Sequence, residues 1–70
     1  MTLSARELLA KKLRELRAER DWSQEDLAAA SGLHRTYIGT IEKSEQSITI
    51  DNIQKLADAF EVTISELFQE

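Results

Sequence analysis

Five segments of this 70-residue chain carry the same pattern for the start of a helix. A helix N-cap favours Ser, Thr, Asp or Asn, because the side-chain oxygen accepts a hydrogen bond from an unpaired backbone N–H. An apolar residue before the cap packs on another apolar residue five positions later. The five segments are Leu3-Ser4…Leu8, Trp22-Ser23…Leu27, Leu33-His34…Ile38, Ile48-Thr49…Ile53 and Val62-Thr63…Leu67. They predict helices near residues 5–20, 24–31, 35–43, 50–60 and 64–69. Glu7, Asp26 and Glu66 are the expected partners in capping boxes, and His34 is expected to be a poor cap.

Apolar residues recur at helical spacing within these segments, so that each predicted helix has an apolar face. Leu9, Leu13 and Leu16 share a face of the first helix, and Leu56 and Phe60 share a face of the fourth. The chain has no proline, and no run alternates with the period of a strand. We therefore expect an all-α fold, a compact five-helix domain that spans residues 1–70.

The residue types that are missing exclude several kinds of site. Disulfides are excluded because the chain has no Cys, and a structural zinc site is disfavoured because His34 is the single histidine. We expect no metal, no cofactor and no catalysis, since a glycine-rich phosphate loop is missing as well. No apolar run approaches the ~20 residues that span a bilayer, and the N-terminus lacks a secretory signal. We therefore expect a soluble cytoplasmic protein that is not an enzyme.

The second and third predicted helices are short, and little more than Ser31-Gly32-Leu33 separates them. Glycine suits the left-handed residue that ends a helix and turns the chain sharply. Two short helices at a tight glycine-containing turn are typical of a helix-turn-helix, which places its second helix in the major groove of DNA. The sequence therefore predicts this motif between residues 23 and 43.

The third predicted helix has one small, polar face. Projection at the helical repeat puts Ile38, Ile41 and Glu42 on the inner side and Thr36, Thr40 and Lys43 on the outer side, with Arg35 and Gly39 on the flanks. Slim side chains let a helix seat deeply in the major groove, where Arg pairs with guanine and Thr contacts a base or a thymine methyl group. Glycine costs a helix roughly 1 kcal/mol relative to alanine, and close approach to DNA is a reason to keep it. This face therefore indicates sequence-specific DNA binding.

The charge of the chain is unfavourable for DNA binding. The net charge is -4; residues 1–20 are net positive, whereas residues 21–30 and 48–70 are net negative. We therefore expect few phosphate contacts and a reliance on neutral hydrogen-bond donors. The acidic balance also supports a rival function, a protein-interaction module that has lost DNA binding.

The segment SQEDLAAASGLHRTYIGTIEK, residues 23–43, resembles the helix-turn-helix of the phage-repressor/Cro (Xre) family, and the resemblance extends over residues 13–68. The stretch RTYIG, followed by Ile41-Glu42, is closer still to controller proteins of restriction-modification systems. The resemblance implies a homodimeric transcriptional regulator that binds a double-stranded DNA operator and controls its own gene and the endonuclease gene. RNA polymerase is then a further candidate partner. A phage-type repressor or an antitoxin with the same domain is the alternative.

The resemblance also implies a role for each matching position. Arg35, Thr36 and Thr40 are expected to read base edges. Gln24, His34, Tyr37, Lys43, Ser44, Gln46 and Ser47 are expected to contact the DNA backbone or to support the recognition helix. Arg17 and Glu42 are expected to form an interior ion pair between the first and third helices. The chain departs from the family at three places. Lys43-Ser44 stands where Arg-Gly is frequent, and Glu45-Gln46 stands where basic residues are frequent. Glu61 stands where glycine is usual.

The C-terminal segment is more apolar than a short helix needs for its own packing. Its apolar residues are Val62, Ile64, Leu67 and Phe68. A single recognition helix reads only a few base pairs, so proteins with this motif usually bind two half-sites as dimers. We therefore expect this set to contribute to a two-fold dimer interface.

Overall fold

The computed structural model describes residues 3–69, so residues 1, 2 and 70 of the expected domain lie outside the described residues. The chain forms α1 (Ala5–Glu19), α2 (Gln24–Ser31), α3 (Arg35–Glu42), α4 (Ile50–Phe60) and α5 (Ile64–Leu67). The predicted all-α fold is therefore confirmed. Every helix begins at the predicted residue, and each ends within two residues of the predicted position. None of the helices between residues 3 and 69 is long and apolar enough to cross a membrane.

The helix starts are fixed by the predicted side-chain caps. Ser4, Ser23, His34, Thr49 and Thr63 each accept a hydrogen bond from a backbone N–H in the first turn of the helix that follows. Reciprocal capping boxes form at Ser4 with Glu7 and at Ser23 with Asp26.

Two caps differ from the sequence prediction. His34 is a better cap than expected, because its Nδ1 accepts the N–H of Thr36 at 3.1 Å. The expected box of Thr63 takes another form, in which the Thr63 hydroxyl donates to the Glu66 carboxylate at 3.3 Å. The positions of all five caps were therefore predictable, whereas the hydrogen-bond pattern was predicted correctly at Ser4 and Ser23 but not at His34 and Thr63.

All five helices contribute to one hydrophobic core. Its residues are Leu9, Ala10, Leu13, Leu16, Leu27, Ile38, Ile41, Ile53, Leu56, Ala57, Phe60 and Leu67. Helix α1 packs against α3 and α5, and α2 packs against α3 and α4. At the edge of the core Trp22 stacks on Phe60 with ring centroids 5.3 Å apart, and the Arg20 guanidinium lies over both rings.

The four apolar residues of the C-terminal segment, part of which is predicted to form a dimer interface, differ in burial, and Leu67 is the most buried of them. Its side chain is fully buried within one chain, where it belongs to the core. Leu67 is the residue on which Val62 is expected to pack at the start of α5, and this position turns its side chain inward. Val62, Ile64 and Phe68 are only half-buried and remain available to a partner.

Left-handed residues end several of these helices. Gly32 ends α2 with φ 77°, as the sequence predicts. Glu61 ends α4 with φ 58°, and Ser44 has φ 62° in the connection after α3. Neither of these two residues is glycine. The turns after α3 and α4 therefore carry the steric cost of a Cβ atom in the left-handed region.

Candidate nucleic-acid interface

Helices α2 and α3 pack against each other across a three-residue connection, Gly32-Leu33-His34. Ile38 and Ile41 of α3 are buried in the core, and the Arg35 and Thr36 side chains are exposed on its other face. This is the geometry of a helix-turn-helix, in which the second helix is held from behind and presents one face to solvent.

The exposed start of α3 carries an ion pair that the sequence did not predict. Nε of Arg35 lies 3.6 Å from Oε1 of Glu25 in the first turn of α2. The two side chains are 59% and 77% exposed. The contact depends on the distance between the N-terminal turns of two helices, for which the sequence carries no signal. Glu25 is therefore a residue of the site that sequence reasoning missed.

Thr40 is half-buried and its hydroxyl is already engaged. The hydroxyl lies 2.7 Å from the carbonyl oxygen of Tyr37 and 2.8 Å from Oε1 of Gln46. The hydroxyl has a single proton, which it can donate to one of these two acceptors at a time, and its position links the end of α3 to the loop that follows. Its predicted contact with a base would use the methyl group or a remaining lone pair.

The loop of residues 43–47 is held at several points. The N–H of Ser44 donates to Ile41 O and the N–H of Glu45 donates to Thr40 O, both at 3.0 Å. Nη2 of Arg6 donates to Oγ of Ser47, and Arg14 donates to the backbone oxygen of Glu42 just before the loop. The loop is therefore anchored to α1 as well as to α3. Lys43, Gln46 and Ser47 are exposed along it, and Ser44 is half-buried.

The ion pair implied between Arg17 and Glu42 is present and lies beneath the recognition helix. Nε and Nη2 of Arg17 donate to the two carboxylate oxygens of Glu42, each at 2.7 Å. Nη1 of Arg17 donates to Trp22 O at 2.9 Å. These hydrogen bonds with Glu42 raise the pKa of Arg17 above its ordinary value. Glu42 is only 4% exposed, so these partners take the place of water around its carboxylate.

Gln24 connects α2 to the same carboxylate. Its Nε2 donates to Oε1 of Glu42 at 3.1 Å, which joins three helices through one buried group. An ideal Cβ added at Gly39 would lie 3.7 Å from Oε1 of Gln24, an ordinary van der Waals contact. Packing within the chain therefore does not require glycine at position 39.

His34 and Tyr37 both have partners within the chain. The exposed His34 ring uses Nδ1 to cap α3, which leaves Nε2 as the other ring atom for a contact with DNA. The Tyr37 hydroxyl accepts a hydrogen bond from Nδ2 of Asn52 in α4 at 3.2 Å. The hydroxyl of Tyr37 can still donate its own proton to a phosphate.

The chain is similar to known proteins over most of its length. The family model described as helix-turn-helix matches residues 13–67. The control protein C.SmaI from Serratia marcescens is 40% identical over 65 residues, 93% of this chain and 77% of that protein. The restriction-modification controller protein C.AhdI from Aeromonas hydrophila has a structure with a TM-score of 0.85 and 41% identity, covering 90% of this chain and 96% of that one. The controller protein C.Esp1396I, solved as a tetramer with its natural 35 base-pair operator, gives a TM-score of 0.80 and 28% identity, covering 97% of this chain and 100% of that chain.

The family match contains the whole of α2 and α3, the two helices whose geometry forms the candidate site. The relatives support the same assignment, since the controller-protein structure covers nine-tenths of this chain. The chain therefore belongs to the helix-turn-helix family, and within it resembles the control proteins of restriction-modification systems.

Proposed function

We propose that this protein is a transcriptional regulator of the controller type, which binds an operator as a homodimer in the cytoplasm. In this proposal it regulates its own gene and the gene of an associated endonuclease. The observation that carries it is the exposed face at the start of α3, supported by the ion pair of the partly buried Arg17 with the buried Glu42 carboxylate. A rigidly supported helix that presents Arg and Thr to solvent is suited to the edges of bases in the major groove. The proposed role is binding without catalysis.

Arg35 and Thr36 are the side chains proposed to read bases. The Arg35 guanidinium can donate two hydrogen bonds to O6 and N7 of a guanine, and Thr36 can bond to a neighbouring base or contact a thymine methyl group. Thr40 is proposed to contribute its methyl group, since its hydroxyl is bound to the loop. Gly39 lies between these positions in sequence and lets the backbone approach the groove closely.

The residues around this face are proposed to contact the DNA backbone. Gln46 and Ser47 offer neutral donors on the loop, and Lys43 adds a cation. His34 and Tyr37 are proposed to contribute Nε2 and the phenol hydroxyl, and Gln24 supports α3 from below through Glu42. Ser44 is proposed to act through the loop conformation, because its left-handed φ turns the chain toward Gln46.

A dimer is proposed because one copy of α3 covers only part of an operator. Two copies related by a two-fold axis place their recognition helices about one helical turn of DNA apart. Val62, Ile64 and Phe68 are the half-buried apolar residues of the C-terminal segment. We propose that they form the contact between the two copies. The regulator then represses by occluding the promoter or activates by contact with RNA polymerase.

The test begins with selection of bound sequences from a randomised pool of duplexes, followed by footprinting upstream of the gene. The wild type is expected to enrich a two-fold symmetric sequence and to protect the same sequence in the footprint. Arg35→Ala should weaken binding to it by about 1–3 kcal/mol and relax the preference for one base pair in each half-site. Binding should fall only modestly with added salt, because few phosphates are neutralised. A pool that shows no enrichment at moderate salt would refute the proposed function.

A further inference from the structure

We propose that Glu25 is a positioning residue, which makes Arg35 select a guanine edge over a DNA phosphate. The inference rests on the proposed function, in which Arg35 reads a base. It starts from the ion pair between the first turns of α2 and α3, where Oε1 of Glu25 lies 3.6 Å from Nε of Arg35. Glu25 was not among the residues that the sequence pattern pointed to.

The geometry of the guanidinium lets one arginine serve two acceptors. Its five N–H groups form a fixed fork, with one on Nε and four on the two Nη atoms. Glu25 approaches the Nε side, so the Nη atoms can donate together to O6 and N7 of guanine. A side chain that is already oriented loses less conformational entropy when it binds. The ion pair therefore prepares Arg35 for the base without occupying its Nη atoms.

The charge of Glu25 acts differently on a base and on a phosphate. A phosphate is an anion, so its approach to Arg35 is opposed by the carboxylate beside the guanidinium. The edge of guanine is neutral and meets no comparable repulsion. Glu25 is 77% exposed and lies in the first turn of α2, at the same end of the motif as Arg35. Glu25 therefore reduces non-specific binding more than operator binding.

Glu25 differs from the other acidic residue of the same turn. Asp26 accepts a hydrogen bond from the N–H of Ser23 at 2.9 Å as part of the capping box. Over residues 3–69, Glu25 is the one carboxylate within ion-pair distance of Arg35. Replacement of Glu25 by Gln keeps the size of the side chain and leaves the box intact. The change therefore removes the charge beside Arg35 with little effect on the fold.

The test is a double-mutant cycle on DNA discrimination. The probes are a duplex enriched by the wild type and a scrambled duplex of equal length and composition. The discrimination ratio is the scrambled Kd divided by the enriched Kd, measured for the wild type, Glu25→Gln, Arg35→Ala and the double variant. Glu19→Gln is the matched control, because it removes the same charge from an exposed position at the end of α1.

Glu25→Gln is expected to lower the discrimination ratio by about 1.5-fold to fivefold, the range of an exposed ion pair. Most of the change should come from tighter binding of the scrambled duplex. The same substitution should leave the ratio unchanged when Arg35 is already Ala, and Glu19→Gln should leave it unchanged as well. This dependence on Arg35 separates positioning from a general effect of charge or stability.

Two results would overturn the inference alone. One is that the wild type discriminates between the duplexes and Glu25→Gln has the same discrimination ratio. The other is an equal fall in the Arg35→Ala background, which would make Glu25 a general repulsive charge. A wild-type ratio near one would instead refute the proposed function, and the inference would fall with it.

Discussion

The two glycines of the chain occupy the helix-turn-helix for different physical reasons. Gly32 has φ 77°, a left-handed conformation that a Cβ atom makes costly. Gly39 lies inside α3 with ordinary helical geometry, and a Cβ there would meet only an ordinary contact with Gln24. The left-handed turn explains why position 32 is glycine, whereas no contact within the chain explains why position 39 is glycine. The proposed explanation is the approach of the α3 backbone to DNA.

Gly39→Ala should therefore separate stability from binding. The substitution is expected to raise the free energy of unfolding by about 1 kcal/mol, because alanine is the better helix former. It should weaken operator binding at least tenfold, because the added methyl group stands between α3 and the groove. Urea unfolding and fluorescence anisotropy with a labelled operator measure the two effects.

Gly32→Ala is the matched control for that experiment. It should lower the free energy of unfolding by about 1 kcal/mol, because alanine is strained in the left-handed region. Its operator affinity should stay close to that of the wild type under conditions where the variant is folded. Unchanged binding by Gly39→Ala would contradict the proposed close approach of the α3 backbone.

The elements of this fold are joined by a buried polar network as well as by the core. Glu42 of α3 accepts hydrogen bonds from Arg17 of α1 and Gln24 of α2. A buried ion pair is weak evidence for stability, because both charges lose hydration when they are buried. Its contribution here is geometric, since it fixes the orientation of α3 against two other helices.

Arg17→Met should destabilise the protein by about 3–5 kcal/mol, because it leaves the buried Glu42 charge without its main partner. The double variant Arg17→Met/Glu42→Leu should recover most of that loss, since no charge then remains buried. Operator affinity should stay reduced in the double variant, because α3 has lost its polar anchor to α1. Thermal unfolding and operator titration test the two parts. A double variant as unstable as Arg17→Met would show that the network itself stabilises the fold.

The capping box of α1 should make its contribution to stability dependent on pH. Hydrogen bonds from the backbone N–H and the side chain of Ser4 lower the pKa of Glu7 below its ordinary value of 4.5. A carboxyl whose pKa is lower in the folded state stabilises that state fully above its unfolded pKa. This stabilisation is lost as the pH falls below 4.5 and through the lower folded value.

The measurement compares the wild type with Glu7→Gln by urea unfolding between pH 7 and pH 3. The difference in free energy of unfolding between the two proteins should be constant near neutrality. Below pH 4.5 the wild type should lose stability relative to Glu7→Gln. In a Ser4→Ala background the same comparison should show a weaker pH dependence, because the hydroxyl is gone while the backbone N–H of residue 4 still donates to Glu7. A difference that does not change with pH would rule out the charged form of Glu7 as the stabilising one.

The outcome for each element follows from the range of the interactions that define it. Helix starts were predictable because the residues that define them lie within five positions of each other, as do Leu3, Ser4 and Leu8 at the start of α1. The ends were less certain, and α5 stops at Leu67 rather than at residue 69. The contact of Arg6 with Ser47 and the ion pair of Glu25 with Arg35 arise only when distant elements pack together. Local pattern therefore predicted the framework of the site, and tertiary packing decided which polar groups face each other.

The whole molecule has one small core, so a second subunit is its main source of further burial. A single core in a chain of this length rarely supplies more than about 3–5 kcal/mol. Of the C-terminal apolar set, Leu67 is buried in the core and so contributes to the fold of one chain. Val62, Ile64 and Phe68 remain as the proposed contact, and Ile50 is a separate apolar side chain that is 65% exposed.

Ile64→Lys should therefore convert the dimer to a monomer at micromolar concentration, because it places a charge within the proposed apolar contact. Light scattering gives the mass, and circular dichroism checks that the helices are retained. Operator affinity should fall by at least tenfold, since each half-site is then bound independently. Ile50→Lys is the matched control, because it adds the same charge at the start of α4, outside the C-terminal set. If the dimer survives Ile64→Lys and dissociates in Ile50→Lys, the interface lies at α4 instead. A monomeric wild type would exclude a stable dimer in the absence of DNA.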